Sequence, residues 1–187
     1  MKDIIAQRIE QMLRNRQSAI VAIDGPCGAG KSTLGKSLQE QFDCNLFHMD
    51  DFFLPIAGKT PERLKIPGNN VDRERFLAEV LLPLKERKPF AFRPFDCKAQ
   101  ALGGFVEVPV KTLNVVEGSY SHHPTLANHY DLKIFLDISP EAQRRRILER
   151  SGEEMLKRFV REWIPPENEY FTAFNITKNS DCYFHCE

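Results

Sequence analysis

The run Gly25-Pro-Cys-Gly-Ala-Gly30-Lys31-Ser32 has the G-x-x-x-x-G-K-S spacing that wraps backbone around a row of phosphates. Glycines allow the close wrap, so that successive N–H groups converge on phosphate oxygens. A lysine at position 31 reaches the outer phosphates, and the Ser32 hydroxyl is a ligand for Mg²⁺. The expected phosphate contacts are therefore Gly25, Cys27, Gly28, Ala29, Gly30, Lys31, Ser32 and Thr33. Carboxylates recur at Asp24, Asp50 and Asp51, Glu117 and Asp137, each directly after a short apolar run. Phosphoryl transfer needs positioned charge: cations on the phosphates and a carboxylate that orients and deprotonates the attacking hydroxyl.

Among these acids, Asp50 precedes Phe52-Phe53 and suits the general base, with Phe53 walling an acceptor pocket; Asp51 is its neighbouring rival, and spacing alone does not separate them. Glu117 ends Leu113-Asn-Val-Val-Glu117-Gly118, an apolar strand plus acid that would hold Mg²⁺ together with Ser32. Gly118 permits a tight turn there, which favours Glu117 over Asp137, whose followers Ile138-Ser139-Pro140 open a helix. In the basic run Arg144 to Arg150, Arg146 and Arg150 are four apart and share a helix face. They are expected over the γ-phosphate, Arg146 in catalysis and Arg150 on substrate, although a solvated basic face fits the same run. Arg63, Arg73, Arg93 and Tyr120 are further acceptor contacts or structural residues.

Positioning these groups requires strands that end together. Apolar runs at Ala19–Ile23, Asn45–Met49, Leu113–Val116, Leu132–Leu136 and, more weakly, Cys182–His185 alternate with helical patterns at Thr33–Phe42, Asp72–Lys85 and Pro140–Arg150. The alternation predicts an α/β fold, a mostly parallel sheet with helices on both faces, of P-loop NTPase type with a small lid. Ligands of such sheets bind beyond the carboxyl ends of the strands, where these acids fall. A single domain over 1–187 is expected, with a lid at about 140–163. Ile4, Ile5, Ile9, Met12 and Leu13 predict an N-terminal helix packed on the domain. Leu54–Val71, with Pro55, Gly58, Pro61, Pro67 and Gly68, reads as a long loop, and Pro89–Pro109 as a hairpin or flap.

The bulk properties exclude several classes. With 26 basic and 26 acidic residues the net charge is zero, which gives no electrostatic footing for nucleic acid or an acidic membrane. No apolar run is long enough to span a bilayer, and no signal peptide is expected. Five cysteines without C-x-x-C spacing argue for reduced thiols and a cytoplasmic location. A small-molecule acceptor is the expected partner, and a homo-oligomer is compatible with the composition.

From Ser18 to Phe184 the chain resembles the uridine kinase group of P-loop small-molecule kinases, cousins of phosphoribulokinase and pantothenate kinase. The resemblance rests on Ile23-Asp-Gly-Pro-Cys-Gly-Ala-Gly-Lys-Ser-Thr33, Met49-Asp-Asp-Phe-Phe53, Val116-Glu-Gly-Ser-Tyr120, Ile134-Phe-Leu-Asp137 and the arginines that follow. It implies ATP and Mg²⁺, transfer of the γ-phosphoryl group to a hydroxyl of a small metabolite such as a nucleoside, Asp50 rather than Asp51 as base, Glu117 near Mg²⁺, and Arg146 and Arg150 in the lid. The chain departs from the group in the acceptor elements. It has Gly68-Asn-Asn-Val-Asp72 in place of an Asp-His-Pro-Asp-like element, and Phe95-Asp-Cys-Lys-Ala-Gln100 in place of Tyr-Asp-Phe with a nearby histidine. Those losses point toward a different acceptor, such as a vitamin or a sugar alcohol. A nucleotide-operated switch is the competing class. Its guanine-reading Asn-Lys-x-Asp element is echoed only loosely, in Thr177-Lys-Asn-Ser-Asp181.

Overall fold

The computed structural model describes residues 1–187. In chain order the elements are α1 (Lys2–Arg14), β1 (Ala19–Asp24), α2 (Lys31–Gln41), β2 (Cys44–His48), α3 (Pro61–Leu64), α4 (Arg73–Phe76), α5 (Leu82–Glu86), β3 (Phe90–Phe92), β4 (Phe95–Asp96), β5 (Ala101–Leu102), β6 (Val106–Val108), β7 (Leu113–Glu117), α6 (Pro124–Ala127), β8 (Leu132–Asp137), α7 (Pro140–Arg158), α8 (Ile164–Ala173) and β9 (Cys182–His185). Five strands form one sheet in the order β2-β7-β1-β8-β9, every pairing parallel. All five strand expectations hold, and the carboxyl ends of β2, β7, β1 and β8 lie side by side.

Period-two alternation splits β1 between two cores. Ile20 and Ala22 join Phe47, Phe52, Phe76, Phe135 and Tyr170 on one face of the sheet. Val21 and Ile23 join Ile5, Ile9, Leu34, Leu38 and Ile134 on the other. A strand buried on both faces reads as the unbroken apolar run seen in the sequence. In α1 the buried stripe is narrower than expected: Ile5, Ala6 and Ile9 pack inward while Ile4 is 53% exposed.

The helix expected over Asp72–Lys85 is present but irregular. The Asp72 side chain caps α4 by accepting from the Arg75 N–H at 3.1 Å, and one π-helical turn (Leu77–Leu81) separates α4 from α5. Pro83 stands just after that turn and has no N–H to donate, so the widened turn absorbs the missing bond. The segment expected as a lid repeats the device: a π turn at Phe159–Trp163 precedes Pro165-Pro166 at the start of α8. α7 runs beyond the expected Arg150 to Arg158, and Gly152, at φ 80° and ψ 173°, breaks its helical path.

The loop expected over Leu54–Val71 contains a 3₁₀ turn (Ile56–Gly58) and α3, which Thr60 caps. Its ends are tied together by the Phe53–Val71 bridge and by the Asp72 N–H donating to Phe52 O at 2.6 Å. The expected flap is a nested pair of antiparallel ladders, β3 with β6 and β4 with β5.

His123, just after β7, is 5% exposed and accepts from the Thr125 N–H on Nδ1 at 3.3 Å. Burial, with the Arg73 charge beside it, lowers its pKa from 6.5 to about 4. The unfolded chain therefore binds the proton more readily, so this contribution to stability is complete above about pH 6.5 and is lost as pH falls toward 4. Urea midpoints should drop over that window. The drop should be smaller in His123→Asn, and an unchanged slope in that variant would refute the assignment.

Candidate active site

The glycine loop joins β1 to α2 in a conformation that requires glycine at its first position. Gly25 sits at φ 144°, and a Cβ there would lie 2.0 Å from Leu136 O on the neighbouring strand. The Lys31 ammonium donates to Gly25 O at 2.6 Å and to Pro26 O at 2.9 Å, which holds the loop closed around its own lysine. α2 begins at Lys31, so the N–H groups of Lys31, Ser32 and Thr33 have no helical acceptor and form an anion cradle. The two carbonyls that Lys31 bridges fix its charge at the mouth of that cradle.

Next to it, Ser32 Oγ lies 3.1 and 3.2 Å from the two carboxylate oxygens of Glu117. His48, paired with Glu117 in the β2–β7 register, places Nδ1 2.6 Å from Glu117 Oε1. That hydrogen bond raises the His48 pKa. Gly118, at φ 139°, has no room for a side chain, since a Cβ there would lie 2.7 Å from Met49 Cβ. A hydroxyl beside a carboxylate is a hard-oxygen donor set that fits Mg²⁺, which completes its shell with water and phosphate oxygens. Asp50 and Asp51 stand in the 3₁₀ turn Met49–Phe52 at the end of β2. Burial in the cleft and then the Glu117 charge raise the Asp50 pKa, against the lowering charges of Lys31, His48 and Arg150. Asp51 is raised chiefly by burial. Its backbone carbonyl is bound by Arg75 at 2.8 Å, which anchors the turn from behind.

The structure brings Lys31, Ser32, Glu117 and Asp50 together with the loop residues Gly25, Cys27, Gly28, Ala29, Gly30 and Thr33. Phe53 lies half-buried beside them against the core. The two arginines of α7 divide differently from the expectation. Arg150 donates from Nε to its neighbour Ser151 Oγ at 3.2 Å and lies over the Phe159 ring at 5.5 Å, near enough to the loop for its charge to act weakly on Asp50 and Cys27. Arg146 instead donates to Gly28 O at 3.1 Å and to Glu187 O at 2.5 Å, which clasps the outer side of the loop to the end of the chain. Two acceptor candidates have structural places. Arg93 binds the flap carbonyls of Gly103 at 2.7 Å and Leu102 at 3.0 Å. Tyr120 is buried in the core and packs edge-on against Tyr170. Arg63 pairs with Glu74 at 2.6 Å. Asp137 accepts from Tyr183 at 2.5 Å, away from Ser32.

Four participants were missed in the sequence. His48 had a usable signal, since it ends the strand two residues before Asp50. Ser119 sat unremarked inside the Glu117-Gly118 element. Gln143 and Glu167 reach the loop from helices far along the chain, and no local spacing marks them. Gln143 Nε2 donates to Cys27 O at 2.9 Å. Glu167 accepts from the Cys27 N–H at 2.9 Å and from the Ser119 hydroxyl at 2.7 Å. Beneath them Asp24, fully buried, accepts from the N–H groups of Gly25 and His122 and from the Tyr170 hydroxyl.

No protein-family model and no curated protein matches the sequence. Solved structures do match in fold. A Bacillus stearothermophilus protein described as a possible uridine kinase superposes with a TM-score of 0.69 at 17% identity, covering 96% of this chain and 98% of its own. A candidate fructose transport system kinase from Silicibacter sp. TM1040 gives 0.71 at 21% identity, covering 98% of each chain. YFH7 of Saccharomyces cerevisiae, described as a P-loop kinase candidate with a circular permutation, gives 0.63 at 13% identity, covering 100% of this chain and 98% of its own. The chain has the α/β fold of P-loop kinases.

Gly25→Ala forces a Cβ onto Leu136 O and must displace the loop or the strand. Titration with ATP should show affinity reduced by about tenfold or more, with a lowered melting temperature. Unchanged affinity would mean that the loop geometry does not govern binding.

Proposed function

We propose that this protein is an ATP-dependent, Mg²⁺-requiring kinase that moves the γ-phosphoryl group to a hydroxyl of a small metabolite. The observation that carries this reading is the placement of Ser32 Oγ within 3.2 Å of both Glu117 oxygens, beside a lysine already fixed in the loop. Ser32 and Glu117 would hold the metal, which when bound offsets charge on the phosphate oxygens. The loop N–H groups and Lys31 orient the triphosphate tail. Asp50, across from Glu117, accepts the proton of the attacking hydroxyl. Arg150 stands on α7 just before the Gly152 break, so a shift of α7 toward the loop would bring its charge over the spreading negative charge, while closure of the segment beyond Gly152 would exclude water. Water would otherwise compete as acceptor.

A nucleoside is the first acceptor class, on the resemblance of the Met49–Phe53 and Val116–Tyr120 elements. A non-nucleoside polyol, such as a sugar or a vitamin alcohol, is the second reading, supported by one feature of the site. Phe95 is 6% exposed and carries no hydroxyl where a nucleoside-reading tyrosine would stand. The sugar-system description of the Silicibacter neighbour agrees with it. No helix is long and apolar enough to cross a membrane, and the five unpaired thiols suit a reducing compartment such as the cytoplasm.

A coupled assay of ADP release over nucleosides, sugars and vitamin alcohols tests the reading. Release should require an added acceptor, whereas slow acceptor-independent hydrolysis would favour a switch. With the acceptor found, Asp50→Asn should lower kcat by about 10²- to 10⁴-fold with little change in the KM for ATP. Lys31→Ala should impair both ATP binding and turnover. The base works deprotonated and its pKa is raised, so kcat should climb with pH through an inflection above the ordinary carboxylate value of about 3.9. Full activity in Asp50→Asn would exclude it as the base.

A further inference from the structure

We propose that Glu167 is a positioning residue for the phosphate loop, holding its first turn in the binding conformation before nucleotide arrives; this rests on the triphosphate reading of the loop given above. Glu167 stands on α8, 140 residues along the chain from Cys27, yet it is only 6% exposed. One carboxylate oxygen accepts from the Cys27 N–H at 2.9 Å and the other from the Ser119 hydroxyl at 2.7 Å. The carboxylate thus ties the loop to the turn that follows β7, the same turn that delivers Glu117.

The N–H groups of the loop divide in two. Gly25 N–H is taken by Asp24 at 2.7 Å, Pro26 has none, and Cys27 N–H is taken by Glu167. The N–H groups of Lys31, Ser32 and Thr33 are free for phosphate. Buried carboxylates therefore fix the early part of the loop from below and leave its later part open above. An anion under an anion-binding loop opposes phosphate through space, and packing alone would be served as well by a neutral side chain. What the carboxylate adds is two charge-assisted hydrogen bonds that order the loop in advance, which lowers the ordering cost on binding. α8 also follows the Gly152 break and the second π turn, so the same residue links the lid segment to the loop.

Cys27 reports on the contact independently of activity. Burial and then the Glu167 charge push its thiol up to about 12, which keeps it protonated and unreactive. Loss of the charge should make it easier to alkylate.

The test is calorimetric titration of Mg²⁺-ATP into the wild type, Glu167→Ala and Glu167→Gln, with peptide-resolved N-ethylmaleimide labelling of Cys27. Glu167→Ala should bind about tenfold more weakly and label faster at Cys27. Glu167→Gln should recover affinity to within about threefold, since its amide oxygen still accepts from Cys27 N–H and its amide nitrogen can donate to Ser119. Its Cys27 labelling should stay fast, because the charge is gone. If Glu167→Ala does not fold, Ser119→Ala cuts the same tie from the other side and should weaken binding about threefold. A folded Glu167→Ala with wild-type affinity, or a folded Ser119→Ala with wild-type affinity where the first variant does not fold, overturns the positioning role alone. Absence of ATP binding by the wild type overturns the triphosphate reading and the role with it.

Discussion

The buried carboxylate of Asp24 is the point on which the site is hung. It has no exposed surface and accepts from Gly25 N–H at 2.7 Å, His122 N–H at 2.8 Å and the Tyr170 hydroxyl at 2.8 Å. A buried charge of this kind is tolerable only with its lone pairs satisfied. Each donor comes from a different part of the fold: the glycine loop, the turn after β7, and α8. Burial and the Asp24 charge raise the Tyr170 pKa, so the phenol stays a donor. The parallel sheet brings these parts together, and the carboxylate sets their spacing.

Above that anchor the cleft is an unequal gathering of charge. Asp50, Asp51 and Glu117 converge at the ends of β2 and β7, answered within the protein by Lys31, His48 and Arg150. Glu117 has a part-exposed histidine and a serine hydroxyl beside it, and its second oxygen faces the serine as well. Burial, and after it the nearby Glu117 charge, raise the pKa of the proposed base, which moves it toward the acidity useful for accepting a proton near neutral pH. The same crowding that would cost stability in an ordinary core becomes an instrument of chemistry here.

The fold was legible because β1 and β7 are doubly buried and so read as plain apolar runs, and because β1, β7 and β8 each end in an acid. Ala19–Asp24 and Leu113–Glu117 announced both the sheet and the cradle. Local irregularities were less legible. The π turns before Pro83 and Pro165 follow from a missing N–H, but periodicity alone reads them as straight helix. In the site, Lys31, Ser32, Asp50 and Glu117 were readable since each lies within a few residues of a strand end. Arg146 and Arg150 share a helix face, and only the packing of α7 against the loop shows that Arg146 clasps Gly28 while Arg150 lies over Phe159. Tyr120 resembled a pocket residue and proved a core residue, because the tight turn at Gly118 sends it inward. Glu167 was invisible: its partner is 140 residues away and depends on how α8 docks.

The account stands or falls on whether Ser32 and Glu117 act as one metal-dependent triphosphate site. The most direct measurement is the ATP dissociation constant with Mg²⁺ and with EDTA, in the wild type and in Glu117→Ala. The account predicts that Mg²⁺ tightens wild-type binding by about tenfold or more and that most of this gain disappears in the variant. An equal response to Mg²⁺ in both proteins, or no ATP binding by the wild type, would contradict it.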